Sequence, residues 1–97
     1  MIIPDEAFGV SDTMKRLKFQ LSDIIEPDFG LLDHLITLHV LTFRQLEDVQ
    51  SERTVYRRND ALLDLLTSEE QHNKLLTALQ RTRQQHVVNF IKGNGGQ

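Results

Sequence analysis

The sequence predicts an all-α fold, a six-helix antiparallel bundle, and three observations carry that expectation. Apolar residues recur three and four positions apart along the chain, and nowhere does strict alternation run for a strand's length. Three segments have the form of a capping box: Thr42-Phe43-Arg44-Gln45, Ser68-Glu69-Glu70-Gln71 and Thr82-Arg83-Gln84-Gln85. In such a box a hydroxyl and a side-chain amide satisfy the first backbone donors of a helix reciprocally. The stretches left between helical segments are short, which favours antiparallel neighbours.

The first predicted helix runs from about Asp12 to Ile25, capped by Ser11 and stopped by Pro27, with Met14, Leu17, Leu21 and either Ile24 or Ile25 inward. Asp28 opens the second, whose Leu31, Leu32, Leu35, Ile36 and Leu38 face the core. Thr42 starts a short third helix with Phe43, Leu46 and Val49 inward. The fourth spans about Thr54 to Leu66, with Val55, Asn59, Leu62, Leu63 and Leu66 on one face. Ser68 begins the fifth, with a stripe of Leu75, Leu76 and Leu79, and Thr82 begins the sixth, with Val87, Val88, Phe90 and Ile91. Gly93 suits a left-handed C-cap. The expected organisation is an N-terminal extension over 1–10, a helical bundle over 11–92, and a flexible tail or the start of a linker over 93–97.

A chain of 97 residues, 39% hydrophobic and 26% charged, has room for one modest core. The absence of cysteine excludes a disulfide scaffold, a thiolate metal site and a cysteine nucleophile together. Apolar runs are only a few residues long and Met1-Ile2-Ile3-Pro4-Asp5-Glu6 does not have the form of a signal peptide, so a soluble, cytoplasmic protein is expected.

No catalytic site can be assembled from the sequence. His34 and His39 are five apart on one predicted helix, so they do not converge as a metal pair four apart would. Each of His34, His39, His72 and His86 is expected at the surface or half-buried. Gly9 and Gly30 are isolated, without a phosphate-binding loop. Glu47-Asp48 and Glu69-Glu70 are adjacent pairs that point to different helix faces, and the second suits the positive end of the fifth helix. The expectation is a non-enzymatic protein with no cofactor, no metal and no small-molecule substrate.

The net charge of −3 conceals blocks of alternating sign. Asp5, Glu6 and Asp12 are followed by Lys15, Arg16 and Lys18. Asp23, Glu26, Asp28, Asp33, Glu47, Asp48 and Glu52 then face a single base, Arg44. Arg53, Arg57 and Arg58 reverse the sign, Asp60, Asp64, Glu69 and Glu70 reverse it again, and Lys74, Arg81, Arg83 and Lys92 close the pattern. Two oppositely charged faces on a small bundle give this pattern, as does a solvated surface without a partner. A small helical nucleic-acid-binding domain, with Arg57-Arg58 at a helix start, is the alternative reading. The acidic balance and the scatter of basic residues over three segments weigh against it.

The segment Leu41-Thr42-Phe43-Arg44-Gln45-Leu46-Glu47-Asp48-Val49 resembles the short third helix of a caspase recruitment domain, a member of the death-fold superfamily. Arg57-Arg58-Asn59-Asp60-Ala61-Leu62-Leu63-Asp64-Leu65-Leu66 is similar to that family's fourth helix, a basic pair followed by Leu-Leu-Asp. Leu75-Leu76-Thr77-Ala78-Leu79 and Gln85-His86-Val87-Val88-Asn89-Phe90-Ile91 resemble its last two helices. The resemblance runs from about Met14 to Ile91 and implies a death-fold bundle of Greek-key type. It further implies a homotypic interaction and recruitment domain in apoptotic or inflammatory signalling, whose partner is another such domain or a second copy of itself; no nucleic acid and no membrane are expected as partners, since the acidic neighbours of Lys15, Arg16 and Lys18 dilute any attraction to anionic lipid. Laid on this chain, the family's basic surface falls on Lys15, Arg16, Lys18, Arg53, Arg57 and Arg58, and its acidic surface on Asp33, Glu47, Asp48 and Glu52. Both Arg57→Glu and Arg58→Glu are expected to weaken partner binding without lowering the melting temperature.

Overall fold

The computed structural model describes residues 9–95. Among them are seven helices and no strand: α1 (Val10–Arg16), α2 (Lys18–Ile24), α3 (Leu31–Thr37), α4 (Phe43–Gln50), α5 (Val55–Leu65), α6 (Glu69–Arg81) and α7 (Gln85–Asn94). Most of the expected N-terminal extension, and Gly96 and Gln97 of the tail, lie outside the described residues.

The seventh helix arises because the first predicted one is broken at Leu17. Its ψ of 14° swings the chain, while its N–H still donates to the Thr13 carbonyl and its carbonyl accepts from Leu21. The break lets the two halves bury different faces: α1 packs on α6 and α7, and α2 packs on α5. Neither proline nor glycine stands near it. The buried isoleucine at the end of α2 is Ile25, at 1% exposure, whereas Ile24 reaches solvent.

Local signals hold for α4, α5 and α6 and fail elsewhere. The Thr42 box is complete: the Gln45 N–H donates to Thr42 Oγ1 at 3.1 Å and the Thr42 N–H to Gln45 Oε1 at 3.0 Å. Thr54 Oγ1 accepts from the Arg57 N–H at the start of α5, and Ser68 Oγ accepts from the Gln71 N–H at the start of α6. The reciprocal half of the Ser68 box is displaced, because Gln71 Oε1 accepts from the N–H of Thr67 instead.

Four predicted helix ends are corrected. Ser11 does not cap the first helix, which begins one residue earlier with Gly9 at the cap position. Asp28 does not open α3: residues 28–30 form a turn, and Gly30, at φ 100°, precedes the helix. Thr82 does not open α7, since Thr82-Arg83-Gln84 closes α6 in a Schellman motif. There the Gln84 N–H donates to the Leu79 carbonyl and the Arg83 N–H to that of Gln80, with Arg83 at φ 66°. His39, at φ 63°, closes α3 in the same way, through Val40 N–H to Leu35 and His39 N–H to Ile36. Gly93 is not a left-handed cap but lies within α7, which continues to Asn94.

One core joins all the helices. Met14, Leu17, Leu21, Ile25, Leu31, Leu35, Val49, Leu62, Leu75, Leu79, Val87, Val88 and Ile91 are buried, with Leu38, Leu46 and Phe90 packed partly against them. Phe43 and Val55, expected inward, are exposed, at 73% and 38%. Each is the first residue of its helix, projecting past the end of the core-facing stripe. α2 packs more extensively on α5 than on the α3 that follows it, and α1 rests on the last two helices. This non-sequential order of neighbours makes the antiparallel bundle a Greek key of the death-fold type.

Candidate interaction surface

Two predicted basic residues are built into the scaffold. Lys18, at the start of α2, lies between two carboxylates one turn apart on α5, 3.1 Å from Asp60 and hydrogen-bonded to Asp64. The hydrogen bond to Asp64, joined by that to Asp60, holds the Lys18 ammonium above the ordinary lysine pKa; partial burial acts in the opposite direction. Arg58 donates to Asp28 Oδ2 at 3.1 Å and to the Glu52 carbonyl at 2.8 Å, with only 18% of its side chain exposed. It therefore ties the turn before α3 and the link after α4 to the start of α5.

The other four basic residues divide between two places. Lys15 and Arg16 close α1, where Arg16 Nη2 donates to the Asn94 carbonyl at the end of α7. Arg53 and Arg57 are exposed at the entry to α5. Because Lys18 meets the far half of α5 while Asn59 reaches back to Ile25, α2 and α5 run antiparallel. Lys15 and Arg16 thus lie toward the end of α5 and Arg57 at its beginning, about 10 Å apart along the axis. None of these four residues forms an ion pair among the described residues.

The predicted acids are more uniform. Asp33 on α3 and Glu47 and Asp48 on α4 are exposed, Glu52 after α4 is half-buried, and none has a cationic partner within the described residues. α3 and α4, which carry or precede these carboxylates, pack on each other. Glu70 and Lys74 make a further pair along α6, at 3.3 Å.

The sequence places Asn59 on the inward face of its helix but does not mark it, or Gln84, as a residue that positions these surfaces. Asn59 is completely buried and its amide donates to the Ser22 and Ile25 carbonyls at 2.8 and 2.7 Å, closing the end of α2. The Gln84 amide makes two bonds with the backbone of Glu26, accepting from its N–H and donating to its carbonyl. Asp60 and Asp64 were visible only as part of an acidic block. His72 is not at the surface but buried, at 1%, with its Nδ1–H donating to the Ser68 carbonyl. His72 lies on a cleft of about 230 Å³ between α1, α5 and α6.

No group of potential metal ligands occurs among the described residues, and no helix there is long and apolar enough to cross a membrane. An all-helical bundle with charge of both signs unpaired on separate elements among the described residues fits the class of death-fold interaction modules. The family model described as "Caspase recruitment domain" matches residues 11–94, and the chain belongs to that family. Its members are protein-interaction domains, generally non-enzymatic, and membership implies homotypic association with other domains of the kind. Comparison with curated proteins and with solved structures finds no match.

Proposed function

We propose that this chain is a recruitment domain of apoptotic or inflammatory signalling in the cytoplasm, binding another caspase recruitment domain or itself through complementary charge. The basic contact set is Lys15, Arg16, Lys18, Arg53, Arg57 and Arg58, and the acidic set is Asp33, Glu47, Asp48 and Glu52. The observation that carries this reading is that, among the described residues, the four acids on and after α3 and α4 lack a cation, while Lys15, Arg16, Arg53 and Arg57 lack an acid. Lys18 and Arg58 serve the contact chiefly by fixing the elements that carry the others.

A single exposed ion pair contributes about 0 to 1 kcal/mol, so a stable complex needs several pairs acting together. Opposite signs on different faces of one domain make the contact head-to-tail, and it propagates unless the rotation closes a ring. The test is charge reversal. Arg57→Glu should weaken binding about tenfold or more near 0.15 M salt, and Glu47→Lys on the opposing domain should restore part of the loss. Unchanged binding by Arg57→Glu would remove this assignment.

A further inference from the structure

We infer that the ring of Phe43 from one copy of this chain seats in the cleft between α1, α5 and α6 of a second copy, and that Glu47 beside it pairs with Lys15 at the cleft's edge. This rests on the homotypic reading above and supplies the apolar anchor of one contact. The charge sets by themselves do not provide one.

The cleft has the size and chemistry for a phenyl ring. Its floor is Met14, Leu63, Leu66 and His72, all buried, and its volume is about 230 Å³. That volume exceeds the roughly 150 Å³ of an enclosed apolar cavity that takes up benzene, but this cleft is open and Lys15, Lys18 and Asp64 also line it. His72 adds no competing donor from Nδ1, which is committed to the Ser68 carbonyl. At the rim, Lys18 is paired with Asp60 and Asp64, which leaves Lys15 as the lining cation without a partner among the described residues.

Phe43 presents the complementary features. It is 73% exposed, and it opens a helix whose first turn is held by the complete Thr42–Gln45 capping box. Glu47 follows four residues later, so ring and carboxylate share one helix face with Cβ atoms about 5 to 6 Å apart. A short aromatic side chain on an already rigid turn loses little freedom on docking. Two other phenylalanines are exposed among the described residues, Phe19 at 71% and Phe29 at 80%. Phe19 lies beside Lys15, Arg16 and Lys18, where a second cationic rim is unfavourable. Phe29 sits in the turn before Gly30, and the acid next to it, Asp28, is committed to Arg58. Phe19 too has an acid one turn on, Asp23, but three bases flank it; among the described phenylalanines Phe43 is the exposed one on a helix whose neighbours Glu47 and Asp48 outweigh a single base, Arg44.

The chain contains no tryptophan, so Phe43→Trp introduces a single reporter at the contact. Its emission should shift to the blue when excess wild-type chain is added, and should not shift when the added chain carries Lys15→Glu. Phe19→Trp should stay solvent-like throughout. In sedimentation equilibrium, Phe43→Ala should weaken self-association about tenfold or more with an unchanged melting temperature, as truncation of a central aromatic anchor does. Self-association of Phe43→Ala at wild-type strength, or a wild-type chain that stays monomeric up to about 1 mM, overturns the inference. If Phe43→Ala has no effect and Arg57→Glu abolishes association, the anchor fails and the charge reading stands. If neither substitution matters, both fail.

Discussion

The Glu69 carboxylate accepts hydrogen bonds from the backbone N–H groups of Val10 at 2.8 Å and Ser11 at 2.9 Å, so the first turn of α6 caps α1 across 59 positions of sequence. An acidic side chain at the positive end of a helix satisfies orphan donors and complements the helix dipole. α1 carries Lys15 and Arg16, so this long-range cap, with the Arg16 bond to Asn94, fixes the orientation of part of the basic surface.

Glu69→Ala should therefore destabilise the domain by about 1 to 2 kcal/mol, the usual cost of a lost cap, discounted for an exposed carboxylate. Urea unfolding measures the loss, and hydrogen exchange should show faster exchange at the Val10 and Ser11 amides first. Glu69→Gln, which keeps an acceptor, should recover part of it. If Glu69→Ala unfolds at the wild-type urea midpoint, this cap contributes nothing.

Asn59 joins α5 to the end of α2 by two buried bonds to carbonyls. Asn59→Leu keeps the volume but removes both donors, leaving the Ser22 and Ile25 carbonyls without that partner. The expected cost is about 2 to 4 kcal/mol, read as a fall in melting temperature. A variant as stable as the wild type would show that packing alone holds this junction.

Lys18 makes a pH prediction with a defined sign. Its pKa is raised in the folded state, so its contribution to stability is complete below the unfolded value of about 10.5 and is lost as pH rises through the folded pKa. Denaturant unfolding above about pH 10.5 should show the wild type losing stability more steeply than Lys18→Met. Below that range the variant should be less stable by about 1 kcal/mol, because the pairs are partly exposed. Parallel pH profiles for the two proteins would contradict the assignment.

Arg57 and Arg58 are neighbours with different duties. Arg57→Glu should leave the melting temperature within about 2 °C, as substitutions on an exposed surface do. Arg58→Glu removes bonds to Asp28 and the Glu52 carbonyl and places an acid beside Asp28, costing about 1 to 3 kcal/mol. The equal, stability-neutral outcome expected of both from sequence is thus corrected for Arg58. Thermal unfolding of the two variants side by side decides it: equal melting temperatures would mean that the Arg58 bonds are not formed in solution.

The sequence by itself determined the helical class, the starts of α4, α5 and α6, and most of the core, because those signals act within one or two turns. Thr42 reads Gln45, and Leu75, Leu76 and Leu79 fall on one face, whatever the rest of the chain does. The ten interface candidates were legible as charge blocks, but their standing was not. Lys18 and Arg58 look no different in sequence from Lys15 and Arg57. Only the approach of α2 to α5, and of the Asp28 turn to the start of α5, brings carboxylates to the first two. The break at Leu17 and the cap from Glu69 likewise came from the tertiary structure. Each depends on which helix a segment packs against, and contacts separated by tens of residues leave no local trace in spacing or propensity.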